Sequence, residues 1–271
     1  NDLELRHANV WANRLIGDEQ EPPDCDFEPA PLPGGWQFEE GGLRVHVQRN
    51  GALRGLWKKD AKGAWRSVLW SADIYTDVGY GYTWDRDSKS KKFEQSSDVE
   101  AYASFAREAD GTLVLSFEGV LRNEQRFLKM RQPVAFRTVY RFGGDSFTLT
   151  EGVETAHLPK DGCGFLAFMA SVDGLAGARF TDATGCVRTA ERPSGHGRRL
   201  ETRPSDAAAP VKEVVLTLRS GATLTLSNLR TTGNPPENVF FDGDNFFIDW
   251  MDCRPMPFKT NVLSTFTATV R

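Results

Sequence analysis

Hydrophobic and polar residues alternate along most of the chain, and turn residues interrupt the alternation about every ten positions. The clearest example is residues 134–155, VAFRTVYRFGGDSFTLTEGVET, where two alternating segments flank the turn Gly143-Gly144-Asp145. Side chains of a β-strand point to opposite faces with a period of two, so a half-buried strand shows this alternation. The segment predicts a β-hairpin.

The same design recurs along the chain. Hairpin turns are predicted at Asn50-Gly51 and Ser220-Gly221, a strand follows Asp110-Gly111, and two aromatic strands flank Asp242-Gly243-Asp244. Helical periodicity is scarce, and its best candidate, residues 98–108, fits a strand better through Val99, Tyr102 and Phe105. Short strands separated by frequent turns are typical of sandwiches and barrels. The pattern predicts an all-β protein with one large antiparallel domain over residues 36–271.

Two segments depart from the alternation. Residues 21–35, EPPDCDFEPAPLPGG, are rich in proline, which fixes φ and removes a backbone donor. We therefore expect residues 1–35 to form an extended N-terminal strap. Residues 189–210 carry few hydrophobic residues and predict a long surface excursion.

Composition narrows the classes of partner. The 271 residues are 39% hydrophobic, with 18 Phe and 7 Trp, which suffices for a sizeable core. A formal charge of −4 argues against a broad nucleic-acid surface. No apolar run reaches the roughly 20 residues of a membrane helix.

The cellular location is not fixed by the sequence. The N-terminal residues do not resemble a signal peptide, so the compartment stays open, with a secreted or periplasmic location favoured. Oligomeric state is not predicted.

Cofactor and metal motifs are missing from the sequence. It contains no P-loop, GxGxxG fingerprint or GxSxG elbow, and no two of the four histidines have metal-ligand spacing. The four cysteines include no CxxC pair, which argues against a structural zinc. From these missing motifs we expect neither a cofactor nor a metal. A Cys163–Cys186 disulfide and reduced cysteines both remain open.

One segment concentrates groups suited to a sugar. Residues 71–93, SADIYTDVGYGYTWDRDSKSKKF, hold three of the chain's five tyrosines within eight residues. Aromatic faces stack on the C–H patches of a sugar ring, while carboxylates and guanidinium groups bind its hydroxyls. We interpret the segment as a loop, either binding a ligand or simply covering a sheet edge. Its candidate binding residues are Tyr75, Asp77, Tyr80, Tyr82, Trp84, Asp85 and Arg86.

Candidate acids and bases lie elsewhere in the sequence. His157 follows a predicted strand and would titrate in the useful range, whereas His46 occupies an outward position between Val45 and Val47. Asp249 precedes Trp250 in a run of carboxylates, FFDGDNFFIDWMD, and glycoside hydrolysis uses two carboxylates. Asp-Gly-Asp is equally a turn signature, and Glu151 and Glu154 are further carboxylates.

A basic stripe suggests a second chemistry. Residues 122–137, RNEQRFLKMRQPVAFR, could bind the carboxylates of a uronate polymer, although a solvated strand face gives the same pattern. With Tyr140 or His157 as base and an arginine neutralising the carboxylate, β-elimination is a plausible reaction.

The hairpin at residues 134–155, followed by GFLAFMASVDG and the closing FFIDWMDCRPMPFKTNVLSTFTATV, resembles the β-supersandwich of galactose-mutarotase-like proteins. Polysaccharide-lyase domains and accessory domains of glycoside hydrolases share this supersandwich. The resemblance covers residues 36–271 and rests on strand pattern. It implies carbohydrate as the ligand class. In the mutarotases a histidine pair and a glutamate late in the sequence carry proton transfer. This sequence offers no matching histidine pair, and Glu237 is its only late glutamate.

Three functional hypotheses follow. The first is a carbohydrate-active protein that binds an oligo- or polysaccharide in a sheet-surface groove, and possible activities are glycoside hydrolysis or polysaccharide lysis. The second is a non-catalytic carbohydrate-binding or accessory domain of a larger glycosidase. The third is a structural or adhesion sandwich that binds protein, because a fold does not fix a function. Whether the chain is an enzyme stays open.

Overall fold

A computed structural model of the chain describes residues 24–25, 27, 29–80, 91–94, 101–121, 134–153, 162–191, 200–202, 211–231, 238–242, 245–251 and 262–271. Every regular element in these ranges is a strand. The twenty strands are β1 Asp24–Cys25, β2 Ala30–Leu32, β3 Gly35–Glu40, β4 Leu43–Gln48, β5 Leu53–Lys59, β6 Trp65–Tyr80, β7 Lys91–Glu94, β8 Tyr102–Arg107, β9 Leu113–Leu121, β10 Val134–Gly143, β11 Ser146–Val153, β12 Gly162–Val172, β13 Leu175–Asp182, β14 Val187–Glu191, β15 Leu200–Thr202, β16 Val211–Leu218, β17 Thr223–Thr231, β18 Asn238–Asp242, β19 Asn245–Met251 and β20 Val262–Val270.

The strands form two large sheets. The first has the order β1-β8-β9-β10-β11-β20-β17-β16-β13-β14, and the second has the order β15-β18-β19-β12-β6-β5-β4-β3-β2, with β7 also paired to β6. Neighbours are antiparallel throughout, except that β1 runs parallel to β8. The predicted all-β antiparallel sandwich is confirmed.

The predicted hairpins at Asn50-Gly51, Gly143-Gly144-Asp145 and Ser220-Gly221 are confirmed as the β4–β5, β10–β11 and β16–β17 connections. Residues 98–108 contain the strand β8, also as predicted. The Pro-rich segment contributes β1 to the first sheet and β2 to the second. The predicted surface excursion contains β15, and residues 192–199 and 203–210 lie outside the described residues.

The interpretation of residues 71–93 as one loop is wrong for residues 71–80 and 91–93, which belong to β6 and β7, and residues 81–90 lie outside the described residues. The strand β6 continues to Tyr80, between β12 on one side and β5 and β7 on the other. Ile74, Thr76 and Val78 supply the β-branched alternation of a strand, but intervening aspartates and glycines give it the composition of a loop. Sheet pairing on both sides therefore prevails over local composition.

The inner faces of the two sheets meet in an aromatic core. Phe105 of the first sheet lies between Trp36 and Phe38 of the second, with ring centroids 5.0 and 4.9 Å away and edge-to-face geometry. Phe105 is 1% exposed, and Phe117 packs beside it at 5.8 Å. Such contacts add to the area buried from water and fix how the sheets lie on each other.

Tyr140 links this core to a turn of the opposite sheet. The side chain is fully buried, and its hydroxyl donates to the Gly51 carbonyl oxygen at 2.7 Å. Gly51 belongs to the β4–β5 turn, so the hydrogen bond joins the two sheets.

The turns of the two sheets also touch at one end of the sandwich. A side chain on Gly41, in the β3–β4 turn, would lie 2.0 Å from the Gly144 carbonyl oxygen. Beside this contact Lys58 forms an ion pair with Asp145, whose carbonyl oxygen accepts from the Val270 N–H at 3.0 Å. The close approach requires glycine at position 41.

We predict that Tyr140→Phe lowers the free energy of unfolding by about 1–3 kcal/mol, because the buried Gly51 carbonyl loses its hydroxyl donor. Urea unfolding measures the change. The matched control is Tyr102→Phe, whose side chain is 40% exposed and should change stability by less than about 0.5 kcal/mol. Equal stability of Tyr140→Phe and the parent protein would contradict the assigned role.

We predict that Gly41→Ala is more destabilising than Gly111→Ala. Both glycines have positive φ, 56° and 88°, so both alanines incur about 1–2 kcal/mol of backbone strain. Only Gly41 meets another backbone, whereas Gly111 has nothing within 4 Å of an added methyl group. Overpacking should cost Gly41→Ala about 1–3 kcal/mol more, measured by urea unfolding. Equal losses would refute the close contact between the turns.

Candidate functional site

Residues from distant parts of the sequence meet in one row across the second sheet. In this row Tyr75 of β6 pairs with Ala167 of β12, which pairs with Asp249 of β19. On its other side Tyr75 pairs with Glu94 of β7. Neighbouring strands are about 4.8 Å apart, so the Tyr75 and Asp249 backbones are separated by roughly 10 Å. Two of the predicted site residues are thus neighbours on the sheet.

This row belongs to the outer face of the second sheet. Leu53 of β5 is fully buried in the core between the sheets and is paired with Ala72 of β6. Tyr75 follows Ala72 by three positions in a stretch where β6 pairs regularly with β12, and an odd separation corresponds to the opposite face. Residues directly opposite one another in neighbouring strands share a face. Tyr75 and Asp249 therefore occupy positions that face away from the core.

The other predicted binding residues are placed only in part. Asp77 pairs with Phe165 and with Lys92, two positions along β6 from Tyr75. Tyr80 is the last residue of β6, opposite Gly162. Tyr82, Trp84, Asp85, Arg86 and His157 lie outside the described residues.

Tyr140 is not suited to act as an acid or base for a bound substrate. It lies in the core, 0% exposed, and its hydroxyl is bonded to Gly51. Glu151, another candidate carboxylate, is 2% exposed on the inner face of the first sheet. The alternation of β10 and β11 directs both residues to the core, which the hydrophobic pattern around them already indicated.

The basic stripe and the cysteines can be placed in part. Residues 122–133 lie outside the described residues, and Arg137 is exposed on the first sheet, 3.1 Å from Glu118. Cys186 is a free, exposed thiol, so the Cys163–Cys186 disulfide is not formed. The two cysteines belong to different sheets, because Cys163 lies in β12 and Cys186 directly precedes β14.

The outer face also carries an aromatic patch, formed by His46, Trp57 and Trp65. The His46 and Trp57 ring centroids lie 4.4 Å apart. The indole of Trp57 lies over Gly55, where a methyl group would come within 1.9 Å of the ring. Glycine at position 55 therefore leaves the space in which Trp57 lies flat on the sheet.

His46 is held in a defined state. Its Nε2 is 2.8 Å from Oε1 of Gln37, and a neutral imidazole donates there, which leaves Nδ1 as an acceptor. Burial lowers the pKa of His46 from its ordinary value, and the positive charge of Arg44 lowers it further. His46 thus offers a neutral ring at pH 7, and its predicted outward position is confirmed.

Trp65 lies among charged groups. The guanidinium of Arg44 is 4.3 Å from the ring centroid and the ammonium of Lys59 is 5.4 Å from it. Arg44 also forms an ion pair with Glu39 at 2.6 Å. The patch thus combines aromatic surface with fixed polar groups.

Our sequence reasoning missed the roles of Trp57, Trp65 and Arg44. Alternation gave only a weak signal, because Trp57 follows the core residue Leu56 but Trp65 lies between two exposed residues, Ala64 and Arg66. In the described part of the chain, no three metal-ligating side chains cluster. Nor does any described helix have the length and hydropathy to span a membrane.

No protein-family model matches the chain, and no curated protein matches its sequence. Solved structures do share its fold. An alpha-mannosidase from Enterococcus faecalis aligns over 90% of the chain with a TM-score of 0.55 and 10% identity. A glycosyl hydrolase family 38 protein from the same organism aligns over 90% with a TM-score of 0.56 and 12% identity. The chain spans 30% and 31% of their respective lengths.

A galactose mutarotase-like protein from Lactobacillus casei aligns over 88% of the chain and over 100% of its own length, with a TM-score of 0.54 and 11% identity. At such low identities the similarity to these structures shows a shared fold. The two sheets of this chain agree with the supersandwich that the strand pattern predicted. The chain adopts a galactose-mutarotase-like β-sandwich fold.

Proposed function

We propose that the protein binds an oligo- or polysaccharide along the outer face of the second sheet. The observation that carries the proposal is the row in which Tyr75 and Asp249, 174 positions apart in the sequence, are separated by Ala167 alone. Carbohydrate sites combine aromatic surface with carboxylates that accept hydrogen bonds from hydroxyls. Both kinds of group converge at this row.

The aromatic patch extends the same face. Trp57 pairs with Ser67 of β6, and Tyr75 follows Ser67 by eight positions in that strand. An extended glycan could therefore contact Trp57 at one end and Tyr75 and Asp77 at the other. Tyr80, Tyr82, Trp84, Asp85 and Arg86 follow Asp77 in the sequence and would add contacts at that second end.

If the protein cleaves the glycan, Asp249 is our candidate acid or base, with His157 as the alternative. A hydrolase needs a second carboxylate across the scissile bond, and the nearest candidates by register are Asp73 and Asp77 on β6 and Glu94 on β7. A lyase instead needs a base and a cation that neutralises the substrate carboxylate.

An accessory binding domain is the second candidate function. The alpha-mannosidase from Enterococcus faecalis contains this fold in 30% of its length, so the fold also serves as one part of a longer glycosidase chain. Such a domain would use the same aromatic face and form no product.

We predict that Trp57→Ala and Tyr75→Ala each weaken glycan binding about tenfold or more, because each removes a stacking surface. Affinity electrophoresis with a panel of neutral and uronate-containing polysaccharides measures the change. Tyr102→Ala, an exposed tyrosine of the first sheet, is the control and should bind normally. Thermal unfolding of each variant separates lost binding from lost folding. Retention of every glycan by both variants would refute the proposal.

Analysis of the products formed from glycans distinguishes an enzyme from a non-catalytic binding domain. Mass spectrometry of the same panel should show fragments with an added water for a hydrolase and unsaturated fragments for a lyase. For a hydrolase, Asp249→Asn should lower turnover far more than glycan affinity, because the amide oxygen still accepts hydrogen bonds from hydroxyls but the side chain no longer transfers a proton. Binding without fragments would identify a non-catalytic domain.

We predict that His46 titrates below its usual pKa of about 6.5. Its folded pKa lies below the unfolded value, so this residue contributes stability above pH 6.5 that is lost as pH falls toward the folded pKa. Arg44→Gln should raise the pKa by removing a positive charge, whereas Lys62→Gln, an exposed lysine of the β5–β6 turn, should not. Histidine NMR titration measures each pKa. A value at or above 6.5 in the parent protein would contradict the partly buried, neutral ring.

A further inference from the structure

Two cationic side chains, Arg44 and Lys59, are gathered at one end of the aromatic patch. Both lie within 6 Å of the Trp65 ring centroid, at 4.3 and 5.4 Å. A cation at this distance is attracted by the electron-rich ring face, so Trp65 holds both side chains near the sheet surface. We call Arg44 and Lys59 the cationic pair.

The two cations differ in their ion pairs. Arg44 uses Nε and Nη2 to bind the Glu39 carboxylate, at 2.8 and 2.6 Å. Within the described ranges, no carboxylate lies at ion-pair distance from Lys59, which is exposed. The pair therefore retains positive charge that Glu39 does not neutralise, although the chain as a whole carries −4.

An aromatic surface adjoins the cationic pair. Trp57 is directly opposite Arg44 in the sheet register, and its half-buried indole is fixed by Gly55 and His46. A uronic acid residue presents an apolar C–H face to such a ring and carries a planar carboxylate on the same ring. Arginine and lysine are the side chains that bind a carboxylate.

We infer that the cationic pair binds the carboxylate of a uronic acid residue, whose sugar ring packs on Trp57. This inference rests on the proposed glycan binding and names the class of glycan. Ser67, opposite Trp57, is eight positions from Tyr75 in β6, and two register irregularities between them shorten the span to roughly 20 Å at 3.3 Å per regular position. A ligand that reaches both ends is an acidic oligosaccharide and not a monosaccharide.

The test uses matched polymers and matched variants. Oligogalacturonate, its carboxyl-reduced neutral counterpart and a sulfated neutral galactan are titrated by calorimetry into the parent protein, Lys59→Glu and Lys62→Glu. Both substitutions make the same change in charge at an exposed lysine, but Lys62 belongs to the β5–β6 turn, whereas the cations over the Trp65 ring in the described part of the chain are Arg44 and Lys59. Thermal unfolding confirms that each variant is folded.

We predict that the parent protein prefers oligogalacturonate to the reduced polymer, and that added salt weakens this preference. Lys59→Glu should weaken oligogalacturonate binding by roughly tenfold or more, because it places a carboxylate against the ligand carboxylate. Lys62→Glu should leave that affinity unchanged, and Lys59→Glu should leave the affinity for the reduced polymer unchanged.

Other outcomes overturn the inference in distinguishable ways. Equal affinity for the charged and reduced polymers, or equal losses in the two lysine variants, would refute the uronate site and leave neutral glycan binding intact. A Lys59-dependent preference for the sulfated galactan would replace the uronate with a sulfate ester. Absence of binding to all three polymers, and to the wider panel, would refute the proposed function itself.

Discussion

The packing of Phe105 between Trp36 and Phe38 is the constraint on which the rest of the molecule depends. Once these rings fix one face of each sheet toward the other, the period of two assigns the positions between register shifts to the core or to the surface. His46 and Trp57 face outward because Val45 and Leu56 beside them are needed inside. The candidate site is therefore a consequence of the core.

Sequence pattern predicted the sandwich well because alternation and turn chemistry act locally. Asn50-Gly51 and Gly143-Gly144-Asp145 needed only their own residues to be recognised as turns. Strand order was beyond that reasoning, since the pairing of β6 with β12 and of β12 with β19 joins segments far apart in the chain. The neighbourhood of Tyr75 and Asp249 could not be predicted for the same reason.

Composition is a poor guide to secondary structure where residues suited to binding lie within a strand. Aspartates and glycines made residues 71–80 look like a loop, although β6 pairs with strands on both sides there. Tyr140 was a chemically sensible base, but the buried hydrogen bond to Gly51 depends on the packing of the two sheets. Trp57 and Trp65, in contrast, were not recognised as site residues from the sequence. Only the strand register reveals that they share a face with His46.

The place of β20 has a consequence for how the protein is made. This strand lies between β11 and β17, and so joins the two halves of the first sheet. A nascent chain that has not yet reached Val262 holds β11 and β17 as two open edges with unpaired backbone groups. Such edges pair readily with other chains. Closure of the first sheet must therefore follow synthesis of β20, the last of its strands in the chain.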